Sequence, residues 1–121
     1  MDVQTSPLPS PLPPALVEVI AKRFRVLGEP MRITILDRLR DREASVQELV
    51  DEVAASQQNV SKHLQVLHEA GIVARRKQGT HVYYRIADEA VFALCEHVCG
   101  SVRRQVDELA GLVPLTLGAA R

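Results

Sequence analysis

Apolar residues in the first third of the chain are spaced three and four apart, which predicts two consecutive helices. The first helix is expected over 15–27, and Gly28 is expected to end it. Pro30 suits the first turn of the next helix, because that turn does not use the N–H group that proline lacks. The apolar stripe of this second helix consists of Ile33, Ile35, Leu36 and Leu39.

Two further helices and the short connection between them predict a helix-turn-helix. Residues 45–48 read Ser-Val-Gln-Glu, which is the spacing of a capping box, so a third helix is expected to start there. After the small residues Ala54 and Ala55, Ser56 is a suitable N-cap for a fourth helix over about 57–70. Two helices joined by about three residues are typical of this motif.

The apolar period then shortens to two residues, which predicts a β-hairpin. Its strands are expected over 72–77 and 80–86, on either side of the turn Gln78–Gly79. Helical spacing returns after Asp88 and predicts a long last helix that reaches about Leu112. The predicted fold class is therefore mainly α with a β-hairpin, a winged helix-turn-helix.

Length and composition limit the classes of protein that the chain can belong to. The 121 residues suffice for about one domain, which we place at 15–113. Residues 1–14 hold five of the seven prolines and predict a disordered tail, with a polyproline-type ligand as the functional alternative. Residues 114–121 are expected to form a C-terminal tail.

The sequence also gives an expectation for the cellular location. The chain has no run of 18 apolar residues that could span a membrane, and no cationic start followed by an apolar run that could act as a secretory signal. Its two cysteines are then expected to be reduced thiols rather than a disulfide. We therefore expect a cytoplasmic protein that has no membrane partner.

The net charge of zero conceals an uneven distribution of charge along the chain. Between Gln57 and Arg85, five basic residues stand against the single acidic residue Glu69, which leaves the remainder of the chain acidic. Such asymmetry predicts a surface that faces a polyanion. The basic residues of this segment are Lys62, Arg75, Arg76, Lys77 and Arg85.

The polar residues of the fourth helix predict a surface that reads DNA. A helix that only covers a core would be expected to carry acidic residues in its first turn, whereas this helix carries amides, a hydroxyl and a cation. Amides pair with adenine edges in the major groove, and a lysine reaches guanine or phosphate. A solvated polar face is the alternative interpretation. The candidate base contacts are Gln57, Gln58, Asn59 and Ser61, and the candidate phosphate contact is Lys62.

The hairpin carries a second candidate contact surface. Arg75, Arg76 and Lys77 lead into the Gln78–Gly79 turn, and a charged hairpin beside a helix-turn-helix looks like a wing that follows phosphates or the minor groove. We expect these three side chains, together with Thr80, to hold phosphates. Charges of this kind also keep an edge strand from aggregating, and both roles are compatible.

Several segments of the chain resemble the ArsR/SmtB family of winged-helix transcriptional repressors. Residues 24–32 read FRVLGEPMR and are similar to the family's opening motif, and residues 56–67 read SQQNVSKHLQVL and are similar to its recognition helix. The sequences GIV at 71–73 and GTHVYYRI at 79–86 are similar to its hairpin. The resemblance covers roughly residues 15–112.

This resemblance implies a homodimer, built on the first and last helices, that binds a pseudo-palindromic operator in double-stranded DNA. It implies a repressor that leaves the operator when an effector binds, and it makes His63 a DNA contact. Gln58 and Asn59 stand where many members carry proline and threonine, which affects the target sequence rather than the fold.

The resemblance also implies a sensor, commonly of metals or metalloids, yet the two standard sites of the family are missing. The cysteines of the CVCDL motif are absent from residues 45–49, which read SVQEL. For the zinc-type site of the last helix Asp88 is present, but Ala90, Ser101 and Arg104 occupy the other positions. Neither metal site can be assembled from these residues.

Cys95 and Cys99 remain as candidates for an effector site. Spaced i and i+4, they share one face of a helix, and in a two-fold dimer the thiols of both chains can meet. Four thiolates suit zinc and three suit trivalent arsenic, while oxidation of the pair is a further alternative. Both residues also fit as small apolar side chains in a dimer seam. DNA binding itself requires no cofactor.

The sequence gives no support for an enzyme. It has no glycine-rich phosphate loop, no His-Glu-x-x-His motif and no nucleophile with a plausible base. Ser56, Ser61 and His63 share a helix, but no acid is expected to orient the histidine. The competing classes are a winged-helix module that binds a partner protein, and a thiol- or redox-sensing regulator that uses Cys95 and Cys99.

Overall fold

The computed structural model describes residues 8–112, which form five α-helices and three β-strands. The mainly α fold with a β-hairpin wing, predicted from the sequence, is confirmed. In chain order the elements are α1 (Pro14–Leu27), α2 (Pro30–Arg38), β1 (Ala44–Ser45), α3 (Val46–Val53), α4 (Gln57–Glu69), β2 (Val73–Gln78), β3 (His81–Ile86) and α5 (Glu89–Leu112).

Local side-chain caps fix where α2 and α3 begin. The Glu29 carboxylate accepts hydrogen bonds from the backbone N–H of Met31 at 2.7 Å and of Arg32 at 3.3 Å. Ser45 and Glu48 form the predicted capping box, because Ser45 Oγ accepts from the Glu48 N–H and the Glu48 carboxylate accepts from the Ser45 N–H. Both caps satisfy N–H groups that a helix leaves without an internal partner.

The turn between α3 and α4 depends on one residue in a left-handed conformation. Ala54 has φ 55° and ψ 48°, and its N–H donates to the Val50 carbonyl. Glycine usually takes this position at the end of a helix, since a Cβ costs energy there. The connection is thereby limited to Ala54, Ala55 and Ser56, and it has the length that the helix-turn-helix requires.

The strands form one antiparallel sheet in the order β1-β3-β2. The register of β2 against β3 runs from Val73 opposite Ile86 to Gln78 opposite His81, so the hairpin has the predicted strands and turn. The sequence did not predict β1, in which Ala44 and Ser45 pair with Tyr84 and Tyr83. We call the β2–β3 hairpin, residues 73–86, the wing.

The core lies between helices α1–α4 and the inner face of the sheet. Ile33 was assigned to the apolar stripe of α2, but it is 46% exposed, so that assignment was wrong. Val19 and Phe24, which belong to the apolar positions predicted for the first helix, are also exposed, at 62% and 54%. The buried apolar residues are Leu27, Ile35, Leu36, Leu39, Ala44, Leu49, Val60, Leu64, Leu67, Ile72, Val73 and Tyr84.

The chain divides after Ile86 into two compact units, and the second unit contains α5. The Asp88 carboxylate accepts from the Val91 N–H at 3.1 Å, close to the predicted start of this helix. Large apolar side chains spaced mostly four apart are exposed along α5: Leu94, Val98, Val102, Val106 and Leu109. Among the described residues, no helix combines the length and apolar character needed to cross a membrane.

Residues 1–7 and 113–121 lie outside the described part of the chain. Most of the predicted proline-rich tail over 1–14 and all of the C-terminal tail over 114–121 therefore stay predictions. Within the former, Pro14 already belongs to α1.

Candidate nucleic-acid interface

The start of α4 presents a polar surface at the edge of the helix-turn-helix. Ser56 caps the helix as predicted, because its Oγ accepts from the Asn59 N–H at 3.1 Å. We call Gln57, Gln58, Asn59, Ser61 and Lys62 the outer face of α4. All are exposed except Asn59, which is half-buried.

Burial of the opposite side of α4 holds this outer face toward solvent. Val60, Leu64 and Leu67 are fully buried, and they follow the three- and four-residue spacing of one helix side. The first turn contains no acidic residue, so the positive end of the helix dipole is left for an anion. The polar residues that were predicted to form a surface on the fourth helix therefore lie away from its buried side.

A shallow cavity of about 450 Å³ opens beside this first turn. Its lining consists of Ser56, Gln58, Asn59 and Lys62, which combine a hydroxyl, two amides and a cation. Donors and acceptors on flexible side chains around an open concavity can pair with base edges or with phosphate oxygens.

His63 corrects the predicted contact set. The side chain is 7% exposed, and it lies on the buried side of α4, where it cannot reach a groove of DNA. Its Nδ1 lies 3.1 Å from Arg32 Nη1, and its Nε2 lies 3.8 Å from the Glu29 carboxylate. The sequence offered no acid to orient this histidine, and its contact with the carboxylate of Glu29, at the start of α2, is longer than a hydrogen bond.

The basic residues of the wing differ in what they contact. Arg75, Lys77 and Thr80 are exposed, and within residues 8–112 their side chains form no hydrogen bond or ion pair. Arg76 is also exposed, but its Nε donates to both oxygens of Glu43, at 3.2 and 3.1 Å. Its guanidinium also lies 4.7 Å from the ring centroid of Tyr83, a cation–π contact.

Electrostatics agree with this difference. The hydrogen bond from Arg76 lowers the pKa of Glu43, and the same bond raises the pKa of Arg76. Arg85 adds a smaller attraction to the Glu43 carboxylate. Glu43 therefore stays ionised and neutralises one of the cations that were predicted to hold phosphates.

The two cysteines stand one turn apart on α5, and neither forms a disulfide within the described residues. Cys95 is half-buried and Cys99 is exposed. Burial raises the pKa of the Cys95 thiol, and the neighbouring Cys99 raises it further. A raised pKa leaves little thiolate at neutral pH, and the thiolate is the form that binds metals and reacts with oxidants.

Comparison with known proteins places the chain in a family. A helix-turn-helix domain family matches residues 27–76. The regulator KmtR of Mycobacterium tuberculosis is 40% identical over 83 residues, which are 69% of this chain and 64% of KmtR. The repressor SmtB of the same organism is 39% identical over 80 residues, which are 66% of this chain and 59% of SmtB.

A solved structure extends the comparison to the fold. It is the solution structure of the homodimeric winged helix-turn-helix DNA-binding domain Mb0332 of Mycobacterium bovis, described as a possible ArsR-family transcriptional regulator. The TM-score is 0.71 at 31% identity, and the alignment covers 78% of this chain and 87% of that one. This chain belongs to the ArsR/SmtB family of transcriptional regulators.

The chain nevertheless spans less than two thirds of the length of KmtR and SmtB. These ArsR/SmtB relatives are named as transcriptional regulators, and neither name describes an enzyme.

The ArsR/SmtB motifs directed attention to the outer face of α4 and to the wing, but they gave no role to three residues that the structure places beside them. Glu29 and Arg32 contact His63, and Glu43 contacts Arg76. About 30 positions separate the members of each pair, so neither helical nor strand spacing could reveal the contacts. Glu43 stands far from the basic strand in the sequence, so no local pattern linked the two.

Proposed function

We propose that this chain is a homodimeric, sequence-specific DNA-binding repressor. The observation that carries the proposal is the outer face of α4, where amide, hydroxyl and ammonium groups stand exposed while the opposite side of the helix is buried. A recognition helix contacts base edges through the residues near its N-terminus, and these polar groups lie there.

The wing supports the same proposal. Arg75 and Lys77 project from one side of β2, since alternate residues of a strand point the same way. Together with Lys62 they provide exposed cations from two elements of one unit. A cationic surface that includes a helix N-terminus favours a phosphate backbone as its partner.

Support for a dimer comes from α5 and from a relative. The five large apolar side chains exposed along α5 lie mainly at four-residue intervals, which places them on one side of the helix. A row of this kind is costly to leave in water and is typical of an interface between helices. The Mycobacterium bovis domain is described as homodimeric. A two-fold dimer would read a pseudo-palindromic operator.

The proposal does not specify the identity of the effector. Zinc or trivalent arsenic at Cys95 and Cys99 needs thiolates from both chains, and the raised pKa of Cys95 works against thiolate formation at neutral pH. The dimer has one conformation that binds DNA and one that does not. An effector releases DNA only if its affinity for the second conformation is higher than its affinity for the first.

A titration by fluorescence anisotropy tests the proposal. The reduced full-length protein is added to DNA from its own upstream region and to a scrambled duplex of equal length, at about 0.15 M salt. We expect the upstream duplex to bind about a thousandfold more tightly or better, with two chains per duplex and a steep loss of affinity at higher salt. Equal, weak binding to both duplexes would contradict a repressor of this region and favour the partner-protein class. Zinc, arsenite and an oxidant added to the complex then test Cys95 and Cys99.

A further inference from the structure

A partly buried polar cluster, with His63 at its buried end, joins α4 to the two helices at the start of the domain. Arg32 of α2 donates from Nε to the Val26 carbonyl near the end of α1, at 2.6 Å. Its Nη1 reaches His63 Nδ1 of α4 at 3.1 Å. Glu29, which caps α2, places a carboxylate oxygen 3.8 Å from His63 Nε2. One guanidinium and one imidazole thus connect three helices.

The chemistry of the two side chains fixes the form of the imidazole. Arginine has only N–H donors, so the Arg32–His63 bond forms only if His63 Nδ1 is an acceptor. The proton of neutral His63 is then on Nε2, the nitrogen that faces Glu29. A second proton on Nδ1 would remove the bond to Arg32 and set two cations about 3 Å apart.

The position of His63 along α4 links this cluster to the outer face. His63 follows Lys62 directly and lies one turn after Asn59, so the backbone that carries His63 also carries these two residues. A shift of His63 away from Arg32 would move Asn59 and Lys62 relative to the rest of the helix-turn-helix. Amide contacts to base edges depend on such placement more than contacts to phosphates do.

We propose that His63 is a positioning residue, which in its neutral form accepts a hydrogen bond from Arg32 and thereby holds α4 in the orientation that reads the operator. This inference rests on the proposed function. It also makes operator binding sensitive to protonation of one buried group that does not touch DNA.

The electrostatic surroundings of His63 agree with a neutral ring. Burial lowers its pKa most, Arg32 and Lys62 lower it further, and Glu29 opposes them. A lowered pKa in the folded protein means that the neutral form is favoured by folding. The stabilisation is therefore complete at pH values above the ordinary pKa of histidine, and it is lost as the pH falls below that value toward the lowered one.

Two substitutions of His63 distinguish the effect of its hydrogen bond with Arg32 from the effect of the volume that its side chain fills. His63→Asn keeps an acceptor oxygen near the position of Nδ1 but cannot titrate, and His63→Leu fills a similar volume without an acceptor. At pH 7.5 we expect His63→Asn to bind the operator within about twofold of the wild type, and His63→Leu to bind it at least tenfold more weakly. Binding of His63→Leu to scrambled DNA is expected to change less than twofold.

The dependence of operator affinity on pH provides a second test, because a purely structural role of His63 would not change it. As the pH falls from 7.5 through the lowered pKa of His63, the wild type should lose more operator affinity than His63→Asn does. His97→Asn, an equal change at an exposed histidine of α5, is the control and should follow the wild-type profile. Identical profiles for the wild type and His63→Asn would overturn the proposal, as would operator binding by His63→Leu at wild-type strength.

Imidazole NMR tests the same inference without DNA. In the free full-length protein, the ¹⁵N shifts of His63 should report an unprotonated Nδ1 and a protonated Nε2 at pH 7.5, and the midpoint of their change with pH should lie below the ordinary pKa of histidine. The opposite tautomer would overturn the proposal even if His63→Leu failed to fold. If the wild type did not prefer its operator at any pH, the proposed function would be contradicted instead. The tautomer of His63 would then still show whether Nδ1 accepts the hydrogen bond from Arg32.

Discussion

The outer face of α4 and the wing are both polar, exposed and close to one another in sequence, but their side chains are engaged to different degrees. On α4, the side chains of Gln57, Gln58 and Ser61 make no hydrogen bond to another residue in the range 8–112. In the wing, Arg76 is held by Glu43 on one side and by Tyr83 on the other. The outer face of α4 is therefore available to a partner, whereas part of the wing already has its polar contacts within the chain.

This difference indicates that the two surfaces contribute to DNA binding in different ways. A side chain without an internal partner gives up only contacts with water when it meets a base edge. Arg76 must first leave the Glu43 carboxylate, so a phosphate replaces one charge-assisted bond with another and the gain is small. We therefore expect sequence discrimination to depend on α4, and the general affinity to depend on Arg75 and Lys77 more than on Arg76.

The largest effect is expected from Asn59→Ala, which tests the α4 side of the comparison. Loss of the amide should cost about 1–3 kcal/mol of binding free energy on the operator and less on scrambled DNA, because only base contacts carry sequence information. Anisotropy titrations of both duplexes measure the two values.

Gln65→Ala is the matched control, since Gln65 lies later on α4 and its amide already donates to Glu69. It should leave both affinities unchanged. An equal loss on the two duplexes for Asn59→Ala would show that Asn59 does not read bases.

Arg75→Ala and Arg76→Ala, compared with each other, test the wing. Removal of Arg75 should weaken binding to all sequences equally and lower the slope of log affinity against log salt by about one unit, as expected for one phosphate contact. Removal of Arg76 should change the slope by clearly less, because Glu43 already neutralises this cation. Titrations at four salt concentrations measure the slopes, and equal slopes for the two variants would refute the distinction.

The smallest effect is expected from Glu43→Gln, which releases Arg76 without removing it. This variant should bind scrambled DNA slightly more tightly and show a steeper salt slope than the wild type. Acid should act in the same direction, because the ion pair persists above the lowered pKa of Glu43 and is lost as the pH falls through it. A Glu43→Gln, Arg76→Ala double variant that keeps the steeper slope would contradict this account.

Most of the fold could be predicted from the sequence, because each helix has its own local signal. The Ser45–Glu48 capping box and the Ser56 cap marked where α3 and α4 begin, and both are present. The change to a two-residue period marked the wing. Strand β1 could not be predicted, since two residues are too few for a period and their pairing depends on a partner about 40 positions away.

The candidate site was predictable only as far as it depends on periodicity. The pattern of α4 identified the exposed amides, but the family resemblance assigned His63 to DNA although its ring is buried. Whether a polar residue faces inward depends on a partner from another element, here Arg32. The same reason explains why Arg76 was counted as an available cation while Glu43 occupies it.

Ser45 has a consequence for how the domain opens. It is the last residue of β1, paired with Tyr83 of the wing, and it is also the residue whose hydroxyl caps α3. The sheet and the helix-turn-helix therefore share the residue Ser45. Separation of β1 from β3 consequently also disturbs the start of α3. Exchange of backbone amide hydrogens with solvent should consequently be coupled in these two regions, so that the wing and the first turn of α3 open as one cooperative unit rather than fray separately.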